Sequence, residues 1–400
     1  MEQDSSAPAG ADRTIGRKLK AIRQSRRKSL RTIAQLAGIS PGTLSKLENG
    51  KANLDSRQMI VALADALGVA PQDIVGLPIP APGDPTADAA IGAVRAAVQA
   101  VTLGALDSGH AQPVEQLRDR VSDVLTAKQQ CRHREVGEAL PGLILDLHAS
   151  IAAGKHVAEL LRLAVYLHHS GTQAFLQGMG ASADLSWTAA RLAGEAAEHL
   201  DEVVPLGIAG FGQANGLLSW GSFGLARSVV DRAPVTVGDD PTLAGMLTLT
   251  QSLLATASSD TSGADAALRE AAAIAEHTGE GNAHWLSFGP TGVSMWRLSN
   301  ALEAGDHGGA AAFAEQIDPA LLPPTRQANY WVNRARALAR LRGRHGDAAR
   351  SLHRAEVISP DKIYRNPLAL DLLSGLVAKS KEDAVGRELR AMAYRAGLPV

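Results

Sequence analysis

Between Arg13 and Lys51 the chain carries eleven Lys or Arg side chains against a single acid, Glu48. Ammonium and guanidinium groups at that density do one kind of chemistry well: they neutralise phosphate oxygens and displace the counterions around a nucleic acid. The whole chain of 400 residues has a formal net charge of −1, so a stretch of +10 leaves −11 on the remainder. A basic head on an acidic body points to a nucleic-acid partner.

The other chemistry-bearing residues do not assemble into a reactive set. Of the twelve histidines, His168 and His169 are adjacent. On a helix such neighbours diverge by about a hundred degrees, so they cannot both face one metal. The stretch HREVGE (133–138) offers no HExxH and no CxxC partner, and no GxxxxGK[ST] phosphate cradle occurs. The histidines are expected to be solvated or to cap helices. No catalytic site, metal or cofactor is expected, and hence no enzyme.

Cys131 is the sole cysteine, which excludes an intrachain disulfide and fits a reducing cytoplasm. The opening MEQDSSAPAGAD lacks the apolar run of a secretory signal, and residues 1–12 are expected to be a disordered tail. No apolar run approaches the ~20 residues of a membrane helix, so a soluble, cytoplasmic protein with no membrane partner is expected.

Short helices must position the basic residues. Leu19 and Ile22 give 14–25 one apolar face. Ser29 can N-cap a helix with Leu30, Ile33, Ala34 and Ala37 in a stripe, and Gly38 supplies its left-handed end. Ile39 plugs the turn. Ser40 then caps a helix whose first residue is Pro41, a position where a missing N–H costs nothing, and Leu44 and Leu47 face inward. A fourth helix (56–67) ends at Gly68, and Pro71 starts a fifth. Two capped helices joined by a tight glycine turn within some twenty residues make a helix-turn-helix, its second helix sized to enter a major groove.

LPIPAPGDPTADAA (77–90), with four prolines, reads as an extended linker. From about Ile91 the chain is rich in Ala and Leu at helical spacing with Gly or Pro breaks, which predicts helix after helix. Small residues recur there. Ala214, Ala226 and Ala233 are spaced by twelve and then seven, as in a tetratricopeptide repeat; Ala348 and Ala355 repeat the seven, and Pro360 follows. Twelve before Ala348 stands Arg336, flanked by Ala335 and Ala337. A third unit, 291–317, has Leu298 at its first small position, Gly305-Asp306 at its turn, and Ala310 and Ala314 beyond. The fold class expected is all-α: a five-helix head over 13–76, a Pro-rich linker over 77–90, and a helical solenoid over 91–400.

The segments IAQLAGIS, GTLSKLENGK and ALADALGV resemble the Cro/C1-type, or XRE, DNA-binding domain over 14–76. The resemblance implies that Pro41, Gly42, Thr43 and Lys46 face base edges. Gln35, Ser40, Ser45, Asn49 and Lys51 would contact or brace the phosphate backbone, with Arg31 a further phosphate candidate. The family's glutamines at some of these sites are absent, so specificity does not transfer. Lys46 could donate to guanine, and Thr43 could touch a base or a thymine methyl. In that domain the position of Glu48 pairs with an arginine of the first helix, here Arg23, which implies a structural ion pair.

GNAHWLSFGPTGVSMW (281–296), IDPALLPPTRQANYWVNRARAL and HRAEVISPDKIYRNP resemble the long C-terminal half of actinobacterial XRE regulators with tetratricopeptide repeats, departing at Gly292, where Asn is usual. Thr291 could cap the helix running to about Glu303, which leaves FGPTG a plain capping and packing element. Alternatively His284, Trp285, Phe288, Thr291 and Trp296 line part of a concave effector pocket completed by Asn329, Tyr330, Trp331 and Arg334, with Tyr330-Trp331 also readable as core. The expected protein binds double-stranded DNA as a homodimer on a palindromic operator and responds to a peptide or small-molecule effector. The competing expectation is an interaction adaptor whose head serves for protein contacts or loose DNA tethering.

Overall fold

The structure, a computed structural model, describes residues 15–54, 56–75, 85–233, 235–236 and 238–398, the first three of α6 without their side chains. It is all-helical, with no strand among the described residues. The head holds α1 (Ile15–Ser25), α2 (Leu30–Leu36), α3 (Pro41–Glu48), α4 (Arg57–Leu67) and α5 (Pro71–Val75). Each boundary has a local cause. The hydroxyls of Ser29, Ser40 and Ser56 accept the N–H groups of Thr32, Thr43 and Met59. These are donors that a helix start otherwise leaves without partners. Gly38, at φ 68°, turns the chain between α2 and α3. The head has its own core, in which Ile15, Leu19, Ile33, Leu44, Leu47, Leu63 and Ile74 are buried.

The body follows as α6 (Pro85–Leu103), α7 (Val114–Gln129), α8 (His133–Ala152), α9 (Val157–Tyr166), a π-helical turn over 167–173, α10 (Ala174–Gly178), α11 (Ala183–Leu200), α12 (Val203–Ser219), α13 (Phe223–Asp231), α14 (Pro241–Ala257), α15 (Thr261–Thr278), α16 (Pro290–Glu303), α17 (His307–Glu315), α18 (Pro324–Leu338), α19 (His345–Ile358), α20 (Asp361–Tyr364), α21 (Pro367–Lys379) and α22 (Ala384–Arg395). Helix α6 begins inside the segment expected to be extended. Residues 76–84 and the expected tail at 1–12 lie outside the described residues.

Pairs such as α11 with α12, α14 with α15, α16 with α17 and α18 with α19 pack as hairpins in a repeat-like series. Small side chains make the close approaches: Ala214, Ala226, Ala310, Ala314, Ala335, Ala348 and Ala355 are fully buried. Gly245 of α14 is one such point, since a Cβ there would lie 2.1 Å from the Phe288 ring.

The series curls until distant segments meet. His133 Nδ1 lies 2.7 Å from the Asp361 carboxylate, and Arg365 reaches Asp88 at 3.0 Å. Arg365 also donates to the Met179 carbonyl. A cavity of about 480 Å³ lies inside this curl, with walls from α7, the π-helical turn, α12, α16, α18, α20 and α21.

Two expectations about the body need correction. Thr291 does not cap α16: Gly289 occupies the cap position, and the Thr291 N–H donates to the Glu280 carboxylate at 2.7 Å. Nor are the adjacent histidines solvated or capping. His168 and His169 are both buried within the π-helical turn, where His168 Nε2 lies 2.8 Å from His148 Nε2 and His169 Nδ1 lies 3.2 Å from the Gln173 side chain. Burial pushes His169 down to about 4, so it is neutral near pH 7. No group of three or more potential metal ligands occurs among the described residues.

Candidate nucleic-acid interface

Helix α3 has an inner and an outer side. Leu44 and Leu47 bury into the head, and Glu48 beside them is only 3% exposed. A carboxylate so placed needs a cation and donors. Arg23 of α1 supplies both, its Nε and Nη2 donating to the two Glu48 oxygens at 2.6 and 2.7 Å. Its Nη1 donates to the Lys28 carbonyl at 3.0 Å, which ties the α1–α2 turn to the same fork. The bidentate geometry holds α3 in direction as well as distance, and the Glu48 carboxylate raises the Arg23 guanidinium above its ordinary value.

The outer side of α3 is open. Gln35, Ser40, Pro41, Gly42, Lys46, Asn49, Lys51 and Arg31 are exposed, and Thr43 and Ser45 are half-buried. The Ser40 hydroxyl caps the Thr43 N–H and also contacts the Thr43 hydroxyl at 2.9 Å. Asn49 donates to the Ser45 carbonyl at 2.8 Å. The helix therefore presents its capped N-terminus, its positive dipole end and a row of small polar and cationic side chains on one surface. Backbone N–H groups and cations so arranged suit phosphate oxygens. Leu36, 64% exposed on α2, adds an apolar point nearby that the sequence pattern did not mark.

The head is docked on the body through the start of α4, away from α3. Glu303, buried at the end of α16, accepts from the Gln58 N–H at 3.2 Å and lies 3.4 Å from Arg57 and 3.5 Å from the Ser56 hydroxyl. It thus acts as a second cap on α4, placing a carboxylate at the helix's positive end. Gln58 also donates to Ser259 at 3.0 Å, and Arg340 donates to the Asn53 carbonyl. Nothing local in the sequence marks Glu303 as a partner of residues 56–58.

The residues expected to form one effector pocket are divided by the structure. Trp285, Trp296 and Asn329 line the cavity. Phe288 is core, and the buried Tyr330 hydroxyl donates to the Ala314 carbonyl at 2.9 Å. Arg334 donates to Ser351 and stacks on Trp331. His284 is held outside the cavity between Asp240, at 2.6 Å, and the Tyr166 hydroxyl, at 2.7 Å. The cavity takes most of its wall from residues that the sequence reading did not assign to it, including Lys128, Gln129, His169, Arg326 and Lys362. A weak signal existed for Lys128: it shares a helical face with Val121, Val124 and Leu125, where a cation is out of place.

Among the described residues no helix is long and apolar enough to cross a membrane. No curated protein and no solved structure matches the chain. A family model described as a helix-turn-helix domain matches residues 14–75, the span of α1 to α5. The N-terminal region is a helix-turn-helix domain, the architecture of a DNA-binding regulator.

Proposed function

We propose that the protein is a sequence-specific transcriptional regulator of the Cro/C1 (XRE) type, with a tetratricopeptide-like body like that of the actinobacterial regulators it resembles. Its activity is recognition rather than catalysis. One observation carries the reading: α3 is anchored from inside by the Arg23–Glu48 fork while its N-terminal, cationic side stands open. In this reading Pro41, Gly42, Thr43 and Lys46 meet base edges. Gln35, Ser40, Ser45, Asn49, Lys51 and Arg31 hold the phosphate backbone and set the register.

One head covers only a few base pairs, so the operator is a palindrome read by a homodimer, with half-sites about 34 Å apart. The body pairs the heads and adjusts their binding in response to an effector. Footprinting upstream of the protein's own gene tests this reading, with sedimentation of the complex to count chains. A protected inverted repeat bound by two chains is the expected result. Binding with no sequence preference would overturn the regulator in favour of an interaction adaptor with a DNA-tethering head.

A further inference from the structure

Among the described residues the central cavity is lined by five cations, Arg57, Lys128, Arg326, Arg336 and Lys362, and by no Asp or Glu. Composition does not explain this. Outside residues 13–51 the chain is net acidic by eleven charges, yet the acids are absent from this wall. Lys128, Arg326 and Lys362 face the cavity and are half-buried. Neither Lys128 nor Lys362 forms an ion pair among the described residues, and Arg326 has only a neutral partner, the Leu286 carbonyl at 2.9 Å.

The groups facing Lys128 are Lys362, Arg326, the Cys131 thiol and His169, none of them a carboxylate; Asp361 acts on Lys362 from the next residue, but its carboxylate is engaged by His133 and Arg365. Burial, and then repulsion from Lys362 and Arg326, bring the Lys128 ammonium down to about 7. Like charges gathered away from water oppose folding, and an opposite charge among them removes the opposition. The rest of the wall adds what an organic ligand needs. Trp285, Trp296 and Phe211 contribute aromatic rings, and Gln129, Asn215 and Asn329 supply amide donors and acceptors. The volume of about 480 Å³ is that of a small-molecule site.

We propose that this cavity binds a small organic anion carrying two or more negative charges, as carboxylate or phosphate groups, seated among Lys128, Arg326 and Lys362. This deepens the effector part of the regulator reading. The binding itself is tested without DNA, so failure at the operator and failure in the cavity are separate results.

The full-length chain is titrated calorimetrically with pyrophosphate, citrate and benzene-1,3,5-tricarboxylate, with sodium chloride at matched ionic strength as the control. At least one probe is expected to bind saturably at one site per chain and to raise the melting temperature beyond the salt control. Pyrophosphate against the two carboxylates decides the head group, and citrate against the aromatic acid decides the frame. Lys128→Met and Arg326→Met are each expected to weaken binding at least tenfold, while unliganded Lys128→Met, which breaks no ion pair, melts at or above the parent temperature. An anion restores the Lys128 proton, so binding at about pH 8 should take up a proton that Lys128→Met does not. The proposal is overturned if no probe binds beyond the salt control, or if both variants bind as the parent does. It is overturned equally if Lys128→Met melts lower without ligand, which would make that cation structural.

Discussion

The recognition helix and the central cavity both gather cations, in opposite settings. On the head, Lys46, Lys51 and Arg31 stand in water, where each charge keeps its hydration and costs the fold little. In the cavity, Lys128, Arg326 and Lys362 have given up much of that hydration and face one another. An exposed array suits a long polyanion met along a surface, whose affinity comes from released counterions and is open to salt. A buried array suits a small anion that enters and is enclosed, where salt screens poorly and geometry selects. On the proposed reading, the same two residue types serve one partner at long range and another at short range.

The contrast can be broken first by salt. If a dimer neutralises about six phosphates, operator affinity should fall about a thousandfold between about 50 and 200 mM salt. Anion binding in the cavity should change far less over the same range. Fluorescence anisotropy at several salt concentrations measures the first, and equal slopes for the two sites would erase the distinction.

Next in size is the anchor of α3. Glu48→Ala leaves the part-buried Arg23 without its carboxylate, and orphaning a charged hydrogen-bonding group of this kind costs about 3 kcal/mol. Chemical denaturation should show the head unfolding earlier while the body transition stays put. Operator binding should fall with the head.

A body-only effect of about 3 kcal/mol comes from His169. Its folded value lies near 4 and its ordinary value is 6.5. As pH falls below 6.5 the unfolded chain takes up a proton that the folded chain refuses until about pH 4. Stability is therefore lost across that window and is unaffected above it. Urea unfolding at about pH 7 and pH 4.5 measures the loss; His148 and His168, also lowered by burial, act in the same direction, so His169→Gln should remove only its own share.

The smallest effect sits at the junction. Glu303→Ala should cost about 1 kcal/mol, the worth of a helix cap, and should unprotect the Gln58 amide in hydrogen exchange while Leu63 in the head core stays protected. If Gln58 protection is unchanged, the docking contact contributes nothing.

The head could be read in advance because its signals are local. Ser29, Ser40 and Ser56 each sit three residues from the amide they cap, and Gly38 closes its turn within two. Even Glu48 was conspicuous as the one acid in a basic run. The cavity resisted reading because its walls come from positions 57 to 368. The expected pocket drew on contiguous segments, and on a helix contiguous residues diverge. Asn329 thus faces the cavity, while Tyr330 is driven into the core. The π-helical turn was illegible for a related reason. The two histidines diverge as helical neighbours do, His168 toward His148 and His169 toward the cavity, but nothing in the helical period marks that both are buried.

Arg57 belongs to both settings, as the first residue of α4 in the head and as part of the cavity wall. Any coupling that passes through this side chain between the two proposed sites is reciprocal, as linkage requires. Whatever factor an anion in the cavity applies to operator affinity, the operator must apply to anion affinity. A cell rich in the anion would alter promoter occupancy, and a chain already parked on DNA would hold or release its anion differently from a free one. Measuring either dissociation constant in the presence of the other partner then yields the same coupling free energy.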